Sequence, residues 1–446
     1  MIFSFNVFNK EFFIDDKTGD FDNDFLKLAF RNLNQEKVEY FISLENYNPS
    51  FATFCINISN ACNLKCDYYF NQNKNGTSLK FEDIKDYLDL CFESFPNKDK
   101  YFIDLSGKGE PLLFLSLIFK IKEYCDTISN KLQREVLVSF VTNGVLLTKN
   151  LANSLQDKGI LFGVSIDGNR EIHNKHRKDT SNGETYDLVI NNVKNIDNKE
   201  FIGAAVTLTK DVFSLIDSIK ELSLTFKTIS YKPVRKCELS FDKGITKLWL
   251  KEYEKLTLFL IHEIKKGNFI YIFSLLNGDD YFAKFIKRIF LKQIYINRCD
   301  AGINRFSLNE DKNIYICSVA SDYLDYYLGK GKIDLEKRNS IYSLQLENPI
   351  CNKCPYRLIC GGECLIERKL NNGNNEAICI FKKGLINLAI YFYYEIKNYN
   401  IESFKKIIEF INNVNKRYIK DDKLLKYIND NHYSFVEGKK IYDKIL

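Results

Sequence analysis

The sequence has no stretch of about 18 consecutive apolar residues, so it predicts no membrane-spanning helix. Its N-terminus, MIFSFNVFNKEFF, lacks the basic region and the small-residue cleavage site of a signal peptide. Together these absences predict a cytoplasmic protein without a membrane partner. No run of basic residues is interleaved with aromatics. The 64 Lys and Arg stand against 58 Asp and Glu, and the net charge of +6 is too dilute to signal a nucleic-acid partner. Proline is scarce, at six, beside abundant Asn, Lys and Ile, which reads as codon-composition bias and says little about function. No low-complexity linker interrupts the chain. What remains is 446 residues at 45% hydrophobic content, enough for two or three globular domains.

Cysteine is what the sequence has in excess, with thirteen. Disulfides do not persist in the cytoplasm, so so many thiols need another role. Seven of the thirteen lie between Cys299 and Cys379, and Cys62 and Cys66 sit four apart. Such clustering points to metal ligation. Cys55, Cys91 and Cys125 fall in apolar strand or helix patterns and read as buried structural thiols.

Residues 1–50 predict a β-hairpin, FSFNVF and EFFIDD, followed by a helix near Phe25–Leu33. Downstream, six strand-like runs follow: FATFCINIS, KYFIDLSG, EVLVSFVT, ILFGVSI, FIGAAVTLT and KTISYKPV. Amphipathic patterns such as Ile84–Leu88–Cys91–Phe92 and Leu215–Ile219–Leu222 lie between them. Six β–α repeats predict an α/β fold with a parallel sheet, open or curled into a partial barrel. Active-site residues are then expected at the carboxyl ends of the strands. Residues 245–293 read as mostly helical, and 381–430 return to helical patterns. Between them, 299–379 show weak periodicity, as expected where metal rather than a core supplies stability.

The C-terminal array reads CNKCPYRLICGGEC, or C-x2-C-x5-C-x3-C, through Cys351, Cys354, Cys360 and Cys364, with Cys379 after a gap. Upstream, Cys299 and Cys317 bracket RCDAGINRFSLNEDKNIYIC. Cluster irons take thiolate ligands, and a C-x2-C loop presents two of them without strain. One four-thiolate zinc site is the alternative, but it leaves three of the seven unexplained. The first strand candidate runs into NACNLKCDYYF, and the second ends in LSGKGEPLL, with Lys108, Gly109 and Glu110. The third ends in Thr142-Asn143-Gly144, and the fourth in Ser165-Ile166-Asp167-Gly168, followed by His173 and Arg177. Each motif alone is ordinary turn chemistry. Four of them at four successive strand ends are beyond chance.

Over roughly residues 53–390 this order resembles the radical SAM enzymes with a SPASM domain, in particular those that modify peptides. The resemblance implies a partial (β/α)6 TIM-type barrel at 51–240, a helical bridge at 241–298, a cysteine-rich SPASM domain at 299–390 and C-terminal helices at 391–446. Residues 1–50 would form a reduced leader-peptide recognition element. It further implies two auxiliary [4Fe–4S] clusters, one held by Cys351, Cys354, Cys360 and Cys379. The other would be held by Cys299, Cys317 and Cys364, its fourth place open to a substrate thiolate or filled by Cys237. A Gly usual in the family five residues before the second of these cysteines is Lys312 here, at a turn. S-adenosylmethionine (SAM) would contact Lys108, Gly109, Glu110, Ser165, Asp167 and Arg177.

Two further positions depart from the family pattern. Its SAM-cluster loop is C-x3-C-x2-C, and after Cys62 and Cys66 the third ligand position is Tyr69. A phenol with a pKa of about 10 is a poor ligand for soft metals at neutral pH, although tyrosine does ligate iron in some haem proteins. Lys108 replaces the first Gly of a G-G-E-P motif, and its cation is expected near the SAM sulfonium. Two functions follow. One is a maturase that forms a thioether or related crosslink in a Cys-containing precursor peptide through a 5′-deoxyadenosyl radical, fed by a flavodoxin- or ferredoxin-type reductant. The other is a catalytically silent homologue that binds a peptide or partner, or carries electrons through its SPASM clusters.

Overall fold

The computed structural model describes residues 2–15, 21–22, 51–69, 76–200, 202–235, 237–291, 298–346, 348–373 and 375–416. All six expected strands form: β4 (Phe51–Ile56), β5 (Lys100–Asp104), β6 (Glu135–Thr142), β7 (Leu161–Ser165), β8 (Gly203–Leu208) and β9 (Thr228–Pro233). They pair in parallel and in sequence order. Between them run α1 (Phe81–Ser94), α2 (Leu115–Leu132), α3 (Lys149–Asp157), α4 (Arg170–His176), α5 (Tyr186–Lys194) and α6 (Leu215–Ser223). The sheet is the parallel sheet of a partial barrel. Alternation along the strands sorts two faces: Val136, Val138 and Phe140 on β6 are buried, whereas Leu137, Ser139 and Val141 are not. The same period leaves Gly163 and Ser165 on β7, and Ala205 and Thr207 on β8, half-buried on the face that lines the lumen. Cys55, Cys91 and Cys125 are buried, as expected of structural thiols.

The helical bridge consists of α7 (Lys243–Lys265), α8 (Ile270–Leu276) and α9 (Tyr281–Phe290). Trp249, the chain's one tryptophan, is fully buried on α7 and donates its indole N–H to the Thr209 carbonyl at 2.7 Å. The cysteine-rich segment has more regular structure than its weak periodicity suggested. Strand β10 (Arg305–Leu308) pairs in parallel with β4, and β11 (Ile314–Tyr315) and β12 (Tyr327–Gly329) extend the same sheet to nine strands. Strands this short carry no legible alternation. Lys312, in the turn between β10 and β11, has φ +65°, a conformation that glycine adopts without penalty.

Helices α10 (Leu335–Leu346), α11 (Leu365–Leu370), α12 (Glu376–Tyr399) and α13 (Ile401–Lys416) complete the described chain. Helix α12 carries Cys379 and runs without a break past residue 390, where the sequence suggested a boundary. By length and composition it is apolar enough to cross a membrane, but 67% of that window is buried within the protein. It packs against α7 and α9. At the N-terminus, β1 (Ile2–Val7) and β2 (Lys10–Asp15) form the expected hairpin, with β3 (Phe21–Asp22) added as a third strand. The hairpin lies on α12, through Phe8 on Tyr391, Phe12 on Tyr394 and Phe21 on Tyr393. The helix expected near Phe25–Leu33 lies outside the described residues.

Candidate functional site

The loops that leave the carboxyl ends of β4 to β7 are bonded to one another. Glu110 donates its backbone N–H to the Ala61 carbonyl at 2.8 Å. A Cβ on Gly109 would stand 2.3 Å from the Ala61 oxygen and 2.6 Å from that of Ser59, so only glycine admits this approach. The Glu110 carboxylate accepts from Thr142 Oγ1 (2.6 Å), the Asn143 N–H (2.7 Å) and the Leu112 N–H (3.1 Å). Burial still raises its pKa above the ordinary value, against those three bonds. Asn143 in turn reaches Asn63 Oδ1 at 2.7 Å and approaches Cys62 Sγ at 4.0 Å. The second and third motifs therefore clamp the loop that carries Cys62.

The fourth motif holds the other cysteine. Asp167 is fully buried and accepts from Arg177 Nε (2.9 Å), the Thr207 N–H (2.8 Å) and the Tyr68 hydroxyl. Burial alone would raise the Asp167 carboxyl, but the Arg177 charge, with the Tyr68 and Thr207 hydrogen bonds, outweighs it and holds it below the usual carboxylate range. Arg177 lies over the Tyr68 ring at 5.4 Å and directs Nη1 to Cys66 Sγ at 4.0 Å. His173 Nδ1 accepts the Asp167 N–H at 3.2 Å, and its Nε2 lies 3.0 Å from Thr185 Oγ1. Burial and the Arg177 charge lower its pKa to about 4, which keeps the ring neutral. Ser165 ends β7 on the lumen side, half-buried. Tyr68 was not foreseen. Its only signal was its place beside Tyr69 in CDYYF.

Tyr69 is at the third ligand position in sequence, but its side chain is engaged elsewhere. Its hydroxyl donates to the Gly107 carbonyl at 2.9 Å, and burial, then Cys62 and Cys66, push the phenol well above its ordinary range. A neutral phenol that spends its proton on a carbonyl is not a phenolate ligand. The Cys62–Tyr69 loop, with two thiols, does not fit a cluster that needs three.

Lys108 lies in the loop after β5. Its ammonium was expected at the SAM sulfonium, but it lies 3.3 Å from Glu310 Oε1, with both side chains nearly buried. The small pocket lined by Ser59, Gly107, Gly109 and Glu110 does not include Lys108. Glu310 follows β10, so the ion pair ties the second motif to the cysteine-rich segment.

Cys351, Cys354, Cys360 and Cys379 line one pocket, together with Arg357, Glu363, Lys382 and Lys383. Burial pushes the Cys379 thiol up to about 11, and Lys382 offsets part of that rise. Cys299, Cys317 and Cys364 form a second group. Burial, then the neighbouring Cys364 and Cys299, push the Cys317 thiol up to about 11. Among the described residues, no three His, Cys, Asp or Glu side chains gather closely enough to hold a single ion. Thiols ringing a pocket fit a cluster better than a zinc ion, which draws four sulfurs to about 2.3 Å from one centre. Among the described residues, the charged groups that act on Cys237 include Asp67, on the Cys62–Tyr69 loop, Glu238 and Lys210.

Residues 56–212 match the Radical SAM superfamily. The match covers about a third of the chain, and over that segment the chain is similar to the radical SAM enzymes. A cysteine-type anaerobic sulfatase-maturating enzyme of Clostridium perfringens is 30% identical over 138 residues, 29% of this chain and 36% of that one. The first several curated relatives are matched over little more than a third of their own length, 36–37%. In fold, the chain resembles anSMEcpe with bound AdoMet and the Cp18Cys peptide: TM-score 0.60, 20% identity, 76% of this chain and 99% of the other. It also resembles SuiB of Streptococcus suis bound to its precursor peptide SuiA, with TM-score 0.50, 13% identity, 80% of this chain and 92% of the other.

Proposed function

We propose that this chain is an iron–sulfur protein of the radical SAM/SPASM type that binds a peptide in its barrel and handles electrons at two auxiliary clusters, without cleaving SAM. One observation carries the last clause: the Tyr69 hydroxyl is bonded to Gly107, leaving two thiols where a SAM-chelating cluster needs three. The auxiliary clusters would be held by Cys351, Cys354, Cys360 and Cys379, and by Cys299, Cys317 and Cys364. Such clusters supply one-electron chemistry, with potentials set by net charge, hydrogen bonds and exposure. A flavodoxin- or ferredoxin-type protein in the cytoplasm would be the reductant. The peptide reading has two supports. The lumen side of β6 to β8 presents small, half-buried residues, Ser139, Gly163, Ser165 and Ala205. Two proteins of this fold, anSMEcpe and SuiB, have been seen with peptides bound.

The second reading, an active maturase making a thioether or related crosslink, keeps specific support. The Asp167–Arg177–Tyr68 group and the Glu110–Asn143 clamp are intact around Cys62 and Cys66, and Lys108 is turned aside. The test is 5′-deoxyadenosine formation by anaerobically reconstituted protein reduced with dithionite. None is expected from the unmodified chain, and Tyr69→Cys should produce it. Turnover by the unmodified chain at a rate that Tyr69→Cys does not exceed would establish the maturase reading instead.

A further inference from the structure

One buried cation, one half-buried cation and one tyrosine ring join the two cysteine groups. Lys382 lies on α12 one turn past Cys379, is 3% exposed and lines the four-cysteine pocket. Its ammonium donates to the Gly362 carbonyl at 3.2 Å and stands 5.3 Å from the centre of the Tyr281 ring. Arg298, beside Cys299, stands 5.2 Å from the same ring and donates Nη2 to the Tyr281 hydroxyl. Lys382 lines the pocket of Cys351, Cys354, Cys360 and Cys379, and Arg298 adjoins Cys299 in the chain. Each cation therefore belongs to a different cysteine group, and one ring positions both.

The fold fixes that ring. Tyr281 opens α9, whose N-terminus is capped by Asp280 Oδ1 accepting the Ala283 N–H at 2.7 Å. Two turns later Arg288 Nη1 donates to the Ile359 and Cys360 carbonyls at 2.7 and 2.9 Å, clamping α9 to the cysteine loop. Among the described residues the Lys382 ammonium meets a carbonyl and a ring, and burying such a charge is costly, so its place needs an opposite charge to serve. A thiolate-ligated cluster is a net anion and becomes more negative on reduction. A cation held in a low-dielectric interior favours the reduced form.

We propose that Lys382 and Arg298, fixed on Tyr281, set the reduction potentials of the two auxiliary clusters and link one to the other. This rests on the reading that the seven cysteines hold two clusters. The test is an EPR-monitored redox titration of the full-length, anaerobically reconstituted protein, with iron counted in each sample. Lys382→Met should lower one midpoint by a tenfold change in that cluster's redox equilibrium, about 59 mV for one electron. Arg298→Met should lower the other, and Tyr281→Leu should lower both. Unchanged midpoints in Lys382→Met at full iron content overturn the proposal. If that variant loses iron, Lys382→Arg must keep the native midpoint and Lys382→Gln must lower it, and equal midpoints in the two overturn it. About four irons, or stoichiometric zinc, in the unmodified protein would overturn the two-cluster reading itself.

Discussion

Acidification should cost this protein stability through His173. The ring is held neutral by its surroundings, with Nδ1 accepting from the Asp167 N–H and Nε2 beside Thr185 Oγ1, and its pKa is lowered from 6.5 to about 4. A depressed histidine pKa means that the unfolded chain takes up a proton that the folded one refuses. Its contribution is therefore complete above about pH 6.5 and is lost as pH falls toward about 4, by about 3 kcal/mol in all. At about pH 5 the loss should reach about 2 kcal/mol. Gln can keep both contacts, its carbonyl taking the Asp167 N–H and its amide facing Thr185, but cannot titrate. Urea unfolding followed through the single buried Trp249 would compare the two chains at about pH 7.5 and about pH 5. The native chain should lose about 2 kcal/mol more than His173→Gln over that interval. Parallel losses would refute the reasoning and show that His173 is charged, or exposed, in the folded state.

Other consequences follow from the same contacts. Gly109→Ala places a methyl within 2.3 Å of a backbone oxygen, so it should destabilise by about 3 kcal/mol or more, seen as a lowered urea midpoint. Lys108→Met should leave SAM affinity in calorimetry unchanged, because the ammonium pairs with Glu310, yet cost about 3 kcal/mol of stability by stranding that nearly buried carboxylate. Cys354→Ser and Cys317→Ser should each remove about four irons per chain while leaving the other cluster, as read by iron analysis and EPR. Retention of all the iron by either variant would contradict that ligand assignment.

The barrel was legible because its strands are long enough to show alternation and its helices show a clean helical period. The four strand-end motifs were legible because they follow one another in chain order, and the structure does bring three of them against the Cys62–Tyr69 loop. What the sequence concealed depends on side-chain direction. Lys108 was read by its position next to Gly109, but a side chain of that length reaches Glu310, some two hundred residues away in sequence. Tyr69 was read as a candidate ligand, and only the partner of its hydroxyl shows that it is occupied. The strands β10 to β12, of two to four residues each, are too short for any periodicity. Lys382, Tyr281 and Arg298 come from three separate elements, and no spacing could have joined them.

The central claim is that iron resides in the C-terminal cysteines while the Cys62–Tyr69 loop cannot hold a cluster firmly. The most direct measurement is iron and acid-labile sulfide per chain in the unmodified protein and in Tyr69→Cys, both reconstituted anaerobically and desalted. Two auxiliary [4Fe–4S] clusters give about eight irons for the unmodified chain, and a restored third thiolate gives about twelve for the variant. About twelve in both would contradict the account, because the loop would then hold its cluster with Tyr69 in place.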